Sequence, residues 1–129
     1  MGKESKEFFQ EMLKLLPSTY NSYEESVSRF GEVLETVIIE DIFMPEIIKL
    51  LRDEESTKLV KNIFKYFEEV SNCGDDHLIN IFSITVLEIL GDDRDILDIA
   101  QKYMEPKTMQ LLNEVIQGIW IFIYYYIIN

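Results

Sequence analysis

The residues with the greatest chemical potential in this sequence form two short runs. Cys73-Gly74-Asp75-Asp76-His77 places a thiol, two carboxylates and an imidazole close together. Asp92-Asp93-Arg94-Asp95-Ile96-Leu97-Asp98 has four carboxylates in seven residues. The first composition is that of zinc sites and Cys–His nucleophiles, and the second is that of calcium loops.

Neither run completes the pattern that its chemistry requires. The chain has one cysteine and one histidine, too few for an ordinary structural zinc site, and no oxyanion element lies near Cys73. A calcium loop starting at Asp93 would place Leu97 and Asp98 where an oxygen ligand and a glycine are needed. We therefore expect no catalytic residues, no metal and no cofactor, and a protein that is not an enzyme.

Both runs instead have the composition of helix starts, where aspartate caps the backbone and complements the helix dipole. Apolar spacing predicts an all-α fold of about seven helices joined by very short turns. Ser56, Asp75 and either Asp92 or Asp93 are the expected caps, and Met44-Pro45 is an expected helix start. Residues 33–42 are compatible with helix or strand, because Thr36 to Ile39 are largely β-branched.

Short connections predict antiparallel helical hairpins, stacked in a HEAT-like or irregular right-handed array. The length of 129 residues predicts one domain over residues 1–118, followed by an apolar C-terminal tail at 119–129. The tail has about half the apolar length that a membrane span needs, so we expect no membrane insertion. It could be buried core or could form a homodimer through Trp120, Phe122, Tyr124, Tyr125 and Tyr126.

The formal net charge is −12, from 24 acidic and 12 basic residues. This balance disfavours binding to nucleic acid or to an anionic membrane and favours a basic protein partner. Nine acidic residues and one base lie between Tyr66 and Gln101. The predicted partner-binding residues are Asp75, Asp76, Asp92, Asp93, Asp95 and Asp98, followed by Glu68 and Glu69.

The single cysteine excludes an intramolecular disulfide, and the first residues lack the apolar stretch of a signal peptide. We therefore expect a cytoplasmic location.

Several segments carry a resemblance to a known family. They are Leu15-Leu16-Pro17, Leu50-Leu51, Phe64 to Val70, Asp75-Asp76, Val86 to Asp93 and Ala100 to Thr108. Together they resemble a family of small, acidic, all-helical bacterial proteins of uncharacterised function, similar to HEAT-like immunity proteins of toxin systems. The matching positions are packing and capping residues, so the resemblance assigns no site residue.

Charge and resemblance together lead to one functional expectation. It is a non-enzymatic, immunity-type binding protein that neutralises a basic toxin domain, such as a nuclease, by protein–protein interaction. The alternative is a structural or oligomerisation module that uses the apolar tail.

Overall fold

The computed structural model describes the backbone of residues 1–123 and the side chains of residues 1–118. Within that part the chain forms seven helices and no strand, which confirms the predicted all-α class. The helices are α1 (Lys3–Leu15), α2 (Tyr20–Phe30), α3 (35–52), α4 (Thr57–Ser71), α5 (76–92), α6 (Arg94–Gln101) and α7 (Pro106–Ile123).

Helix α3 settles the open question at residues 33–42 in favour of helix from Glu35 onward, with Val33 and Leu34 before its start. It runs as Glu35–Ile38, a π-helical segment Ile39–Phe43, and Met44–Arg52. The N–H of Met44 donates to the carbonyl of Ile39, five residues back. Pro45 lies in the first regular turn after this segment, as predicted, but the chain is already helical before it. Because proline has no N–H and crowds the preceding turn, the wider π turn accommodates it.

Helix α5 has the same construction, with Asp76–Phe82, a π-helical segment Ser83–Leu87, and Glu88–Asp92. The hydroxyl of Thr85, which is buried, donates to the carbonyl of Ile81 at 2.6 Å. The π-helical segments of α3 and α5 pack against each other. Irregular backbone therefore lies at the centre of the molecule, where the surrounding packing holds it in place.

Helices α3 and α5 run side by side in the same direction. His77 at the start of α5 contacts Glu35 at the start of α3, and Arg52 at the end of α3 lies 3.6 Å from Asp93 just after α5. Helix α4 packs on α3, α5 and α7, and α6 packs back on α3 and α5. The short turns thus produce the expected helical hairpins, while the HEAT-like and right-handed arrangement stays a prediction.

Aromatic side chains dominate the core between the long helices. The ring of Phe67 lies 5.1 Å from those of both Phe64 and Phe82, in edge-to-face contacts. Phe9 of α1 packs on Phe43 of α3 at 5.8 Å. Helix α2, in contrast, contributes no fully buried residue and lies at the periphery.

Ser56 does not cap α4 in the way that was predicted. Ser56 was the expected cap, but its hydroxyl donates to Asp53 Oδ2 at 2.7 Å and accepts no backbone N–H. Asp53 also accepts the N–H of Glu55. The hydrogen bond from the Ser56 hydroxyl, and to a smaller extent that from the Glu55 N–H, lowers the pKa of Asp53 below its ordinary value.

The backbone of α7 stays helical through Gly118 to Ile123 and so crosses the predicted boundary between domain and tail. The side chains of Trp120 and Phe122, and all of Tyr124, Tyr125 and Tyr126, lie outside the described residues. The separate tail and the homodimer through these residues stay predictions.

The central position of Phe67 has a direct consequence for stability. Phe67→Ala is expected to lower the free energy of unfolding by about 3–5 kcal/mol, because it opens a cavity among well-packed aromatic rings. Ile84→Ala is the control, because Ile84 is 46% exposed, and it is expected to cost less than about 1 kcal/mol. Urea denaturation measures both; similar losses for the two variants would contradict this description of the core.

Candidate binding surface

The predicted partner-binding residues do not form one cluster. Asp75 and Asp76 lie at the start of α5, whereas Asp92 and Asp93 lie at its end. A helix of this length separates the two groups by about 25 Å. The predicted residues therefore form two separate groups, one at each end of α5.

Glu68 has a structural role that the sequence did not reveal. Its Oε1 accepts the N–H and the hydroxyl of Thr108 at 2.8 and 2.9 Å, and its Oε2 accepts the N–H of Lys107 at 3.0 Å. Glu68 thus caps α7 from 40 positions away along the chain. Ser71 supports the cap, because its hydroxyl is 2.9 Å from that of Thr108.

The hydrogen bonds to Glu68 determine its titration. Partial burial acts to raise the pKa of this carboxyl, but the bonds from Thr108, Lys107 and Asn72 outweigh burial and lower the pKa below its ordinary value. One sequence signal could have indicated this role. Helix α7 begins with Glu105-Pro106 and has no Ser, Thr, Asp or Asn just before its first turn, so its N–H groups need an acceptor from elsewhere.

Asp75 and Asp93 are also used within the fold. Asp75 Oδ1 accepts the N–H of Leu78 at 2.8 Å, which confirms its predicted capping role in α5. Asp93 Oδ1 accepts the N–H groups of Asp95 and Ile96, so Asp93 rather than Asp92 caps α6. The ion pair between Asp93 and Arg52 is exposed on both sides and contributes little to stability.

The remaining five candidates are exposed. The carboxylates of these residues have no hydrogen bond or ion pair with any other residue whose side chain the structure describes; they are Glu69, Asp76, Asp92, Asp95 and Asp98. They are therefore the members of the predicted set that are available to a partner.

The structure brings two of these free acids together. Asp92 and Asp98 line a groove of about 440 Å³ at the end of α5, with Arg94 beside them. The apolar part of the lining comes from Leu97 of α6 and Ile116 of α7. Asp95 lies one turn before Asp98 on α6, and residues three apart share a helix face. This surface, made of Asp92, Asp95 and Asp98, is called the α6 acidic face below.

A second groove, of about 260 Å³, lies between α1 and α4, and Lys14 is the one base in its lining. Glu7 and Glu11 of α1 line it beside the phenol of Tyr66, and Glu69 is close enough to act on the same phenol. Burial is the main cause that raises the pKa of Tyr66, and the negative charges of Glu11, Glu69 and Glu7 raise it further. The sequence did not reveal Glu7 and Glu11, because they are more than 50 positions from Glu69.

Cys73 and His77 occupy the positions expected of a helix junction. The Sγ of Cys73 accepts the N–H of Asp75 at 3.4 Å, and Cys73 is exposed. His77 Nε2 lies 3.2 Å from Glu35 Oε1, with the imidazole more than half exposed. Among the residues that the structure describes, no group of three or more His, Cys, Asp or Glu side chains is arranged to hold a metal ion. None of the helices in that same part has the length and apolar character needed to cross a membrane.

The fold and its surface define an acidic protein whose described residues form seven helices, in which some carboxylates cap helices and others face solvent. The chain belongs to a family described as a domain of unknown function (DUF7674), whose model matches residues 9–120. The match extends from α1 into α7. No curated protein and no solved structure matches the chain.

The cap on α7 predicts a specific dependence of stability on pH. Glu68→Gln is expected to lower the free energy of unfolding at pH 7 by about 1–2 kcal/mol, because the charged acceptor of two backbone N–H groups is lost. Since folding lowers the pKa of Glu68, the carboxylate stabilises the fold above the ordinary glutamate pKa of 4.5. The difference between the two proteins should shrink as the pH falls below that value.

Glu69→Gln is the matched control for this experiment. Glu69 is the next residue and is exposed, and its carboxylate makes no hydrogen bond with any described side chain or backbone group. Chemical denaturation of the three proteins between pH 7 and pH 3 measures the effect. Equal stability of the Glu68 and Glu69 variants at pH 7 would show that α7 does not depend on this cap.

Proposed function

We propose that this protein is a non-enzymatic binding protein that captures a basic protein partner with the carboxylates that its fold does not use. One observation carries this proposal. Glu68, Asp75 and Asp93 are used as caps, yet the α6 acidic face has three further aspartates, and Arg94 is the one base in the groove that Asp92 and Asp98 line. Capping therefore does not account for the excess of acid.

The electrostatic cost of the α6 acidic face supports the proposal. Like charges held close together on a folded surface repel one another and reduce stability. Lysine and arginine side chains of a partner would relieve that repulsion and would gain charge-assisted hydrogen bonds. The same field would accelerate encounter with a basic surface and repel nucleic acid and anionic lipid.

The partner chemistry that fits best is a protein surface dense in lysine and arginine. Proteins that bind phosphate backbones have such surfaces, and a nuclease is one example. The specific form that we propose is immunity-type neutralisation, in which the α6 acidic face occupies the phosphate-binding residues of a basic toxin domain. We place this interaction in the cytoplasm, because the one cysteine is free and exposed.

An oligomerisation module is the second candidate function. The observation that favours it is the composition of residues 119–128, which are all apolar or aromatic, together with the family match that ends at residue 120. Deleting residues 124–129 tests this candidate by sedimentation velocity. A dimer that becomes a folded monomer on deletion would support the tail as an interface, and a full-length monomer would exclude it.

The main proposal is tested with the purified protein encoded by the gene adjacent to this one. At low ionic strength we expect a complex whose association rate falls at least tenfold when Asp92, Asp95 and Asp98 are all changed to asparagine, because steering depends on local charge. Surface plasmon resonance at several salt concentrations measures the rate.

The control variant carries the same change in net charge at exposed positions that do not line this groove, as Glu4→Gln, Glu24→Gln and Glu105→Gln. It is expected to reduce the rate by much less. No complex at low salt, or equal effects of the two triple variants, would contradict the proposal.

A further inference from the structure

A third groove, of about 380 Å³, lies between α2 and α3, away from the α6 acidic face. Phe30 of α2 and Val37 and Ile42 of α3 form its apolar part. Glu25, Arg29 and Asp41 are the charged residues of its lining. An apolar floor with a few charged groups at the edge is the usual composition of a site that receives a side chain or a small ligand.

The apolar residues of this groove are unusually exposed. Phe30 is 50% and Val37 is 36% exposed, and these are two of only five large hydrophobic residues in the described part of the chain that reach this level. Helix α2 has no fully buried residue, so little of its surface is used to hold the domain together. Covering the exposed ring and methyl groups with an occupant would therefore be favourable, because it removes apolar surface from water.

One polar atom of the groove lining also lacks a partner in the part of the chain that the structure describes. The hydroxyl oxygen of Ser26, which lines the groove, is out of contact with solvent and accepts or donates no hydrogen bond among the described residues. An unpaired buried hydroxyl is costly. If the side chain of Ser26 rotates toward the groove, its hydroxyl can bond to a backbone group of an inserted segment.

The charge around the groove determines which occupant fits. The lining has two carboxylates, Glu25 and Asp41, and one base, Arg29, whose guanidinium lies 5.5 Å from the ring centre of Phe30. Three further acids from the same stretch of chain are exposed, and they are Glu24, Glu32 and Glu40. The net charge of this region is therefore negative, which favours a basic occupant over an acidic one.

We propose that the groove between α2 and α3 seats an apolar anchor, an aromatic or branched aliphatic side chain, from a basic amphipathic segment of a protein partner. Lysine or arginine residues beside the anchor would contact Glu25 and Asp41. This inference rests on the proposed function and adds to it a second contact point. Buried apolar anchors supply most of the affinity of an interface, whereas exposed charges mainly set its rate.

The test uses two synthetic helical peptides as probes. The first has leucine and tryptophan on one face and lysine on the other, and the second replaces every leucine and tryptophan with serine while keeping the lysines. Fluorescence anisotropy gives the affinity of each peptide for the full chain. The first peptide is expected to bind at least tenfold more tightly than the second, because one well-buried anchor contributes about that factor.

Two double variants locate the anchor. Phe30→Ser with Val37→Ser removes the apolar floor, and is expected to abolish the preference for the first peptide. Tyr20→Ser with Ile84→Ser is the matched control, because those two residues are also large, apolar and about half exposed but do not line the groove. Circular dichroism verifies that both variants retain the helical fold.

The outcomes separate this inference from the proposed function. Equal affinity for the two peptides, or an unchanged preference in the Phe30/Val37 variant, would overturn the groove proposal. A second outcome is that the Phe30/Val37 variant loses the preference, while the Asp92/Asp95/Asp98 variant binds both peptides as tightly as the unchanged protein. That outcome would support the groove proposal and contradict the role of the α6 acidic face. Binding of neither peptide would contradict both.

Discussion

The first backbone N–H groups of every helix need acceptors, and this requirement organises much of the molecule. Acidic side chains meet it at three helix starts, with Asp75 for α5, Asp93 for α6 and Glu68 for α7. The first two act locally, while Glu68 connects α7 to the C-terminal turn of α4 across a gap of 40 positions. Because a negative charge is favourable at a helix N-terminus, these acids stabilise the fold although the chain as a whole is strongly acidic.

This requirement also divides the acids into two groups with different consequences. Acids that cap helices are paired with N–H groups and are compensated within the fold. Asp92, Asp95 and Asp98 accept no such N–H group; Asp92 and Asp98 line one groove, and Asp95 lies one turn before Asp98, so salt is expected to relieve their mutual repulsion. The apolar groove between α2 and α3 lies in another acidic region. Charge and apolar exposure thus point to the same class of partner from two separate places on the surface.

Much of the fold was predictable, because helix ends have local signals. The cap at Asp75 and the predominance of helix follow from residue types within one or two turns. The π-helical segments were not predictable, because they depend on packing between α3 and α5. The capping role of Glu68 was not predictable, since it depends on Thr108, and the grouping of Glu7, Glu11 and Glu69 around Tyr66 exists only in the folded chain. Tertiary proximity, which periodicity does not encode, accounts for each of these differences.

The central claim is that the acids outside the caps are uncompensated in the free protein. The most direct test is the free energy of unfolding at pH 7 as a function of sodium chloride between low and moderate ionic strength. Screening is expected to raise the stability, by roughly 1 kcal/mol, because it weakens repulsion more than it weakens the short hydrogen bonds of the caps. A stability that stays constant or falls as salt is added would show that attractive pairs already balance the acids, and would contradict the account.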